Sequence, residues 1–262
     1  MSNTEIVPTN AQLVIIGAGP GGYAAACKAV ELGCNVTLID PEANPGGVCL
    51  HRGCIPSKAL LHVAKLVAEA EEAAEIGVSF TKPKIDLERV RDWKDEVIGK
   101  LTGGLGGKVA KQKITYVRGM AKFKDAQTLT VTTTAGAVGE MRFAQAILAT
   151  GSRPIMLPGV AAGSQKIVDS TGALELLDVP RSLLVVGGGY IGLEAAAVAS
   201  KLGLKVTLVE AAPRILQRVA APETSAYFRK LHTDHGVEII EGTGLERLLG
   251  EGRVTGARLA DG

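Results

Sequence analysis

The chain has 262 residues and a formal net charge of only +2, with acids and bases interspersed, which gives no electrostatic footing for nucleic acid or a membrane surface. With 46% hydrophobic residues it can build real cores, and its length predicts two domains rather than one. Four cysteines do not make a disulfide scaffold, the opening MSNTEIVPTNAQ lacks the shape of a signal peptide, and no apolar run reaches membrane-spanning length, so a cytoplasmic protein is expected.

Residues 13–16 form a short apolar strand that runs straight into GAGPGG, bearing Gly17, Gly19 and Gly22. A helical run to about Gly33 and a second strand over 36–39, ending on Asp40, complete the unit. In such a unit the first glycine allows the tight turn, the second lets a pyrophosphate approach the backbone, and the third packs helix on strand. The helix N-terminal amides bind phosphate, and the terminal acid is placed for an adenosine ribose.

Residues 46–58, GGVCLHRGCIPSK, hold Cys49 and Cys54 in a C-x4-C spacing, with Gly53 turning the chain before the second cysteine. A helix is predicted over 55–76, and Pro56 suits its first turn. Cys54 then sits at the positive end of a helix dipole, a setting for a reactive sulfur. A bridge closing so short a loop gains little by restricting the unfolded chain, so the pair reads as a redox-active disulfide. Two readings stand beside it: structural zinc with His51 and His62, for which a second cysteine pair is lacking, and two cysteines of no special role. Cys27 and Cys34 read as small buried hydrophobes.

A second helix is predicted over 86–111, with Gly103, Gly104, Gly106 and Gly107 either thinning or breaking it. Segments 114–117 and 128–134 are β-rich, and 144–149 is a third apolar strand ending at Thr150 and Gly151. Pro154, Pro158 and Gly159 mark a linker, which sets the domains at 1–151 and 152–262.

The first unit then recurs 170 positions on. A strand over 183–186 leads into GGGYIG, with Gly187, Gly189 and Gly192, a helix to about Gly203, and a strand over 206–209 ending on Glu210. One glycine pattern alone is equally a packing device, but two complete units argue for two dinucleotide sites. A helix over 223–235 and strands over 237–240 and 254–259 follow, and the terminal Asp261–Gly262 reads as a hairpin turn without its returning strand, so a fragment is expected. His232 and His235 have no partner at metal-ligand spacing, and no metal site is expected.

GAGPGG, GGVCLHRGCIPSK, Ala149-Thr150-Gly151, the segment DSTGAL over 169–174, and GGGYIGLE together resemble the flavin-dependent pyridine nucleotide–disulfide oxidoreductases, the dihydrolipoamide dehydrogenases in particular. The resemblance implies an α/β fold of two Rossmann-like dinucleotide-binding domains, FAD then NAD, in a C-terminally truncated two-dinucleotide flavoprotein. It implies that Cys49 exchanges with a dithiol, that Cys54 lies nearer the flavin, and that Lys58 lies by the flavin and pairs with Glu194. Gly17, Gly19, Gly22, Asp40, Gly47, Ala121, Thr150 and Gly151 would then contact FAD, and Gly187, Gly189, Gly192 and Glu210 would contact NAD. Glu210 favours NAD over NADP, against which Arg214 could serve a 2′-phosphate. The implied partner is a lipoyl-bearing protein of a 2-oxo acid dehydrogenase complex, and the full-length form would be a homodimer. From about Ala195 the sequence resembles NADH-dependent ferredoxin reductases, which lack the cysteine pair. A ferredoxin- or rubredoxin-type reductase and a non-catalytic dinucleotide-binding fragment therefore stand as alternatives to an NAD-linked dihydrolipoyl dehydrogenase.

Overall fold

The computed structural model describes residues 6–155, 157, 166–251 and 254–262. Pro158 and Gly159 of the expected linker lie outside the described residues. The chain packs as two units, Met1–Pro56 with Asp95–Arg153, and Ser57–Lys94 with Pro154–Gly262.

The first unit is organised by β1 (Asn10–Ile16), whose last four residues are buried on both faces, the mark of a central parallel strand. Successive side chains point to opposite sides. Leu13 and Ile15 therefore join Ala26, Cys27 and Ala29 of α1 (Pro20–Glu31), with Cys34 packed against the same cluster. Val14 and Ile16 face the other way, onto Val131, Met141 and Phe143. Full burial of Ile15 alone contributes about 1.5–3 kcal/mol. β2 (Val36–Asp40) pairs parallel with β1. The chain then forms α2 (Gly47–Arg52), α3 (Cys54–Glu72) with a 3-10 turn at Ala73–Ile76, and α4 (Leu87–Lys111). Three strands follow: β3 (Thr115–Asp125), β4 (Thr128–Thr133) and β5 (Val138–Leu148). β3 runs parallel to β2, the β3–β4–β5 meander is antiparallel, and β5 returns parallel to β1, closing a five-stranded barrel.

The second unit repeats the parallel core. After α5 (Ser170–Leu174), capped by the Asp169 carboxylate on the Gly172 amide, come β6 (Ser182–Val186), α6 (Tyr190–Lys201) and β7 (Lys205–Glu210). α7 (Pro222–Asp234) and β8 (Val237–Glu241) complete a three-stranded parallel sheet in the order β6-β7-β8. Leu193, Ala196 and Ala199 of α6 pack on Val206 and Leu208, with Ile215 fully buried beside them. β9 (Leu245–Leu249) and β10 (Gly256–Leu259) form a separate antiparallel hairpin. The stretch Ser57–Lys94 belongs to this unit: Arg91 and Lys94 donate to the carbonyls of Leu176 and Leu174, both at 3.0 Å.

Several elements differ from the sequence expectations, and β5 starts at Val138, six residues before the strand expected at 144–149. α4 continues unbroken through its glycine cluster, and a β-carbon at Gly103, Gly104 or Gly107 would meet nothing within 4 Å, so these three neither break the helix nor admit a close neighbour among the described residues. β3 runs eight residues beyond the short segment expected at 114–117, because its outer half is a half-solvated antiparallel strand without a continuous apolar signature. β9 reads LERLL, a run of good helix formers, and becomes a strand only through its pairing with β10.

Candidate active-site elements

Each glycine turn is built by the same interactions. Gly17 has φ +98° and Gly187 φ +114°, a region open to glycine, and their amides donate to Ile39 and Val209, both at 2.8 Å. A β-carbon on Gly22 would stand 1.7 Å from the Gly17 carbonyl oxygen, and one on Gly192 would stand 2.0 Å from that of Gly187. Only glycine lets helix and turn meet there. At Gly19 the nearest obstacle is the Gly47 α-carbon at 3.6 Å, and at Gly189 there is none within 4 Å. That leaves bare backbone at two helix N-termini, which is the cradle a pyrophosphate needs.

The strand-end acids hold these turns. Asp40, buried, accepts from the amides of Ala18 at 2.7 Å and Glu42 at 2.9 Å. Glu210 accepts from Gly188 at 2.6 Å and Ala212 at 2.7 Å. Beside the first turn the end of β5 closes in, since the Ala149 amide donates to Ile16 at 2.8 Å and a β-carbon on Gly17 would strike the Ala149 carbonyl. Thr150 and Gly151, the latter at φ +74°, follow directly and are exposed. Ala121 lies elsewhere in the barrel wall, on β3 opposite Val131, half-buried against the inner core.

The cysteine stretch meets the first glycine turn through backbone contacts. Gly46 donates to the Ala18 carbonyl at 2.9 Å, and a β-carbon on Gly47, φ +57°, would stand 2.5 Å from the Gly19 α-carbon. Cys49 lies on α2, a six-residue helix absent from the sequence expectation. Arg52 pairs with Glu42 at its far end, and Tyr116 donates to the Glu42 carbonyl at 3.1 Å. Burial first, then Asp40 and Glu42, pushes the Tyr116 hydroxyl well above the usual tyrosine range. Gly53 passes so close that a β-carbon would stand 2.9 Å from the Val48 carbonyl oxygen, which turns the chain back after Cys49. Cys54 opens α3 and is exposed, Cys49 is half-buried, and no disulfide joins them in the structure. His51 bonds the Asn44 carbonyl at 3.0 Å and His62 stacks near Trp93, so the two histidines weighed for zinc each have another role. Among the described residues no group of three or more His, Cys, Asp or Glu side chains could hold a metal ion.

In the second unit Lys58 Nζ donates to Glu194 Oε1 and Ser57 Oγ to Glu194 Oε2, both at 2.5 Å. Lys58 stands one helical turn after Cys54 on α3. Ser57 is one residue that sequence reasoning missed. Its only signal was its position next to Lys58, and its partner lies 137 residues away.

Two glycine turns of the same build, one of them locked to the stretch that carries the C-x4-C pair, define an α/β fold of the two-dinucleotide type. The chain belongs to the pyridine nucleotide-disulphide oxidoreductase family, whose model matches residues 11–262. It is 47% identical over 199 residues to the dihydrolipoyl dehydrogenase of Haemophilus influenzae, covering 76% of this chain and 42% of that one. Against the dihydrolipoyl dehydrogenase of Geobacillus stearothermophilus it is 43% identical over 229 residues, covering 87% and 48%. The chain thus spans about half the length of the curated relatives it matches. Among solved structures it resembles the HOCl-induced flavoprotein disulfide reductase RclA of Escherichia coli, with TM-score 0.75, 31% identity, and 90% and 50% of the two chains covered. LpdA of Mycobacterium tuberculosis, at 23% identity and TM-score 0.85 over 97% and 56% of the two chains, shares the fold. The expected α/β, two-dinucleotide flavoprotein architecture is therefore the one observed.

Proposed function

We propose that this chain is the dinucleotide-binding part of an NAD-linked dihydrolipoyl dehydrogenase, which oxidises a protein-bound dithiol through a Cys49–Cys54 disulfide. The observation that carries the reading is the backbone contact of Gly47 with Gly19, which makes the cysteine helix and the first glycine turn one piece. Residues 17–22 with Asp40, Thr150 and Gly151 would hold FAD, and residues 187–192 with Glu210 would hold NAD. Bound FAD would supply the two-electron relay between thiols and nicotinamide. A substrate thiolate attacks the Cys49 sulfur and releases Cys54 as a thiolate. The second substrate thiol then displaces Cys49, so the substrate leaves as a disulfide and the protein keeps two thiols. Glu194, held by Ser57, fixes the Lys58 ammonium, and a fixed positive charge is what developing negative charge on a reduced flavin requires. The proposed partner is a lipoyl domain of a 2-oxo acid dehydrogenase complex, met by a homodimer of the full-length protein in the cytoplasm. No described helix is long and apolar enough to cross a membrane.

Thiol counting tests the reading. NADH added to the oxidised, FAD-loaded protein should expose two new alkylatable thiols, mapped by mass spectrometry to Cys49 and Cys54, at the cost of one NADH. Consumption of NADH with both cysteines unchanged would sink it and favour a reductase that passes electrons to an iron–sulfur partner.

A further inference from the structure

Arg214 stands four residues beyond Glu210, in the loop between β7 and α7, where a cation could take the 2′-phosphate that separates NADP from NAD. In the structure its guanidinium is already engaged. Nη1 donates to Ser225 Oγ at 2.5 Å, and Nη2 lies 3.4 Å from the Gln217 carbonyl. Ser225 is 2% exposed, and its hydroxyl donates its single proton to the Ile215 carbonyl at 2.7 Å. Its lone pairs are thereby turned to Arg214. Ile215 is itself held on two sides: its side chain is fully buried, and its amide donates to Glu241 Oε1 at 2.8 Å, while the other oxygen of Glu241 pairs with Arg229. The next residue, Leu216, donates to the Gly188 carbonyl at 2.9 Å, which ties the loop onto the glycine turn.

We propose that Ser225 is a specificity-determining residue, which sets the preference for NAD(H) over NADP(H) by keeping the Arg214 guanidinium committed to the protein. This rests on the reading of the second unit as a nicotinamide-dinucleotide site. Glu210 leaves a carboxylate at the strand end, which repels a 2′-phosphate, and the cation four residues beyond it is withheld by a hydroxyl. Rejection of NADP(H) thus has a repulsive part and a sequestered attractive part.

Nucleotide binding to the purified chain, measured by calorimetry with NADH and with NADPH, tests this without turnover. The parent chain should bind NADH and should bind NADPH much more weakly. Ser225→Ala should bring the ratio of the two dissociation constants down by about tenfold, the scale of one charge-assisted hydrogen bond redirected to a ligand, with NADH affinity little changed. Adding Arg214→Ala to that variant should abolish the gain. Arg214→Ala alone, which keeps Ser225 in its buried place, should leave both affinities near the parent values. An unchanged ratio in a folded Ser225→Ala chain would overturn the proposal. So would a gain that survives removal of Arg214, which would point to the exposed Arg218 instead, or a loss of NADPH affinity in Arg214→Ala alone. A parent chain that binds neither nucleotide would overturn the dinucleotide reading of the second unit, and this inference with it.

Discussion

Asp40 and Glu210, 170 positions apart, hold their glycine turns by the same pair of bonds: one oxygen takes the amide just after the first glycine, and the other takes the amide two residues beyond the acid. The correspondence runs on past the acid. Gly46 bonds the Ala18 carbonyl as Leu216 bonds that of Gly188, although one is glycine and the other is a leucine at φ +55°. A carboxylate in this place is therefore part of the fold before any ribose arrives. Asp40→Ala should cost about 2–4 kcal/mol, since it strips acceptors from two amides in a buried site, and Glu210→Ala about 1–2 kcal/mol at its half-buried position. Urea unfolding followed by circular dichroism measures both. An Asp40→Ala chain as stable as the parent would show that the turn needs no acid.

Glycine is required at some positions of the chain and merely tolerated at others. Gly22→Ala drives a methyl into the Gly17 carbonyl and should leave little soluble folded protein, while Gly104→Ala on the exposed side of α4 should stabilise by about 0.5–1 kcal/mol. Soluble yield and thermal midpoint separate the two. Equal damage from both would mean that α4 has a partner against its glycine face.

The Lys58–Glu194 pair is largely exposed on the lysine side, so its worth to stability should be under about 1 kcal/mol. Its effect on turnover should be much larger. Lys58→Ala in the full-length, FAD-loaded protein should lower dithiol–NAD⁺ turnover by about 10²-fold, the scale of losing one preorganised electrostatic contact, with an unchanged melting temperature. Ser57→Ala should fall between parent and Lys58→Ala, because Glu194 keeps the lysine and loses the hydroxyl. A Lys58→Ala enzyme with full turnover would remove this pair from the mechanism.

His232 is buried on α7, and burial first, then the neighbouring His235, lowers its pKa below the ordinary 6.5. The neutral ring is the form that folds, so the unfolded chain binds the extra proton as pH drops through 6.5. Stability of the second unit should therefore be undiminished at neutral pH and fall progressively below that value. His232→Leu should flatten that part of the slope, read as the difference in thermal midpoint between about pH 7.5 and about pH 5. A parent chain and variant that lose the same number of degrees would rule out His232 as the source.

Both dinucleotide units were legible in the sequence because their chemistry is local: a strand, three glycines, a helix and an acid occur in one short run. Glu194 was legible only through resemblance, since nothing near it in the chain announces Lys58. Helix α2 was hidden because six residues that begin on a glycine, with one glycine before them and one after, carry no helical period. Ser225 was invisible for a different reason. A serine near the start of an amphipathic helix looks like ordinary surface, and its meaning depends on Arg214 and Ile215 folding back over it.

The contact between Gly47 and Gly19 also bears on how this family could vary. Two main chains touch there with no side chain between them, so the offset between the glycine turn and the cysteine stretch is a dimension of the scaffold rather than a choice among rotamers. The addition of one methyl group at Gly47 would have to prise the two segments apart before any chemistry changed.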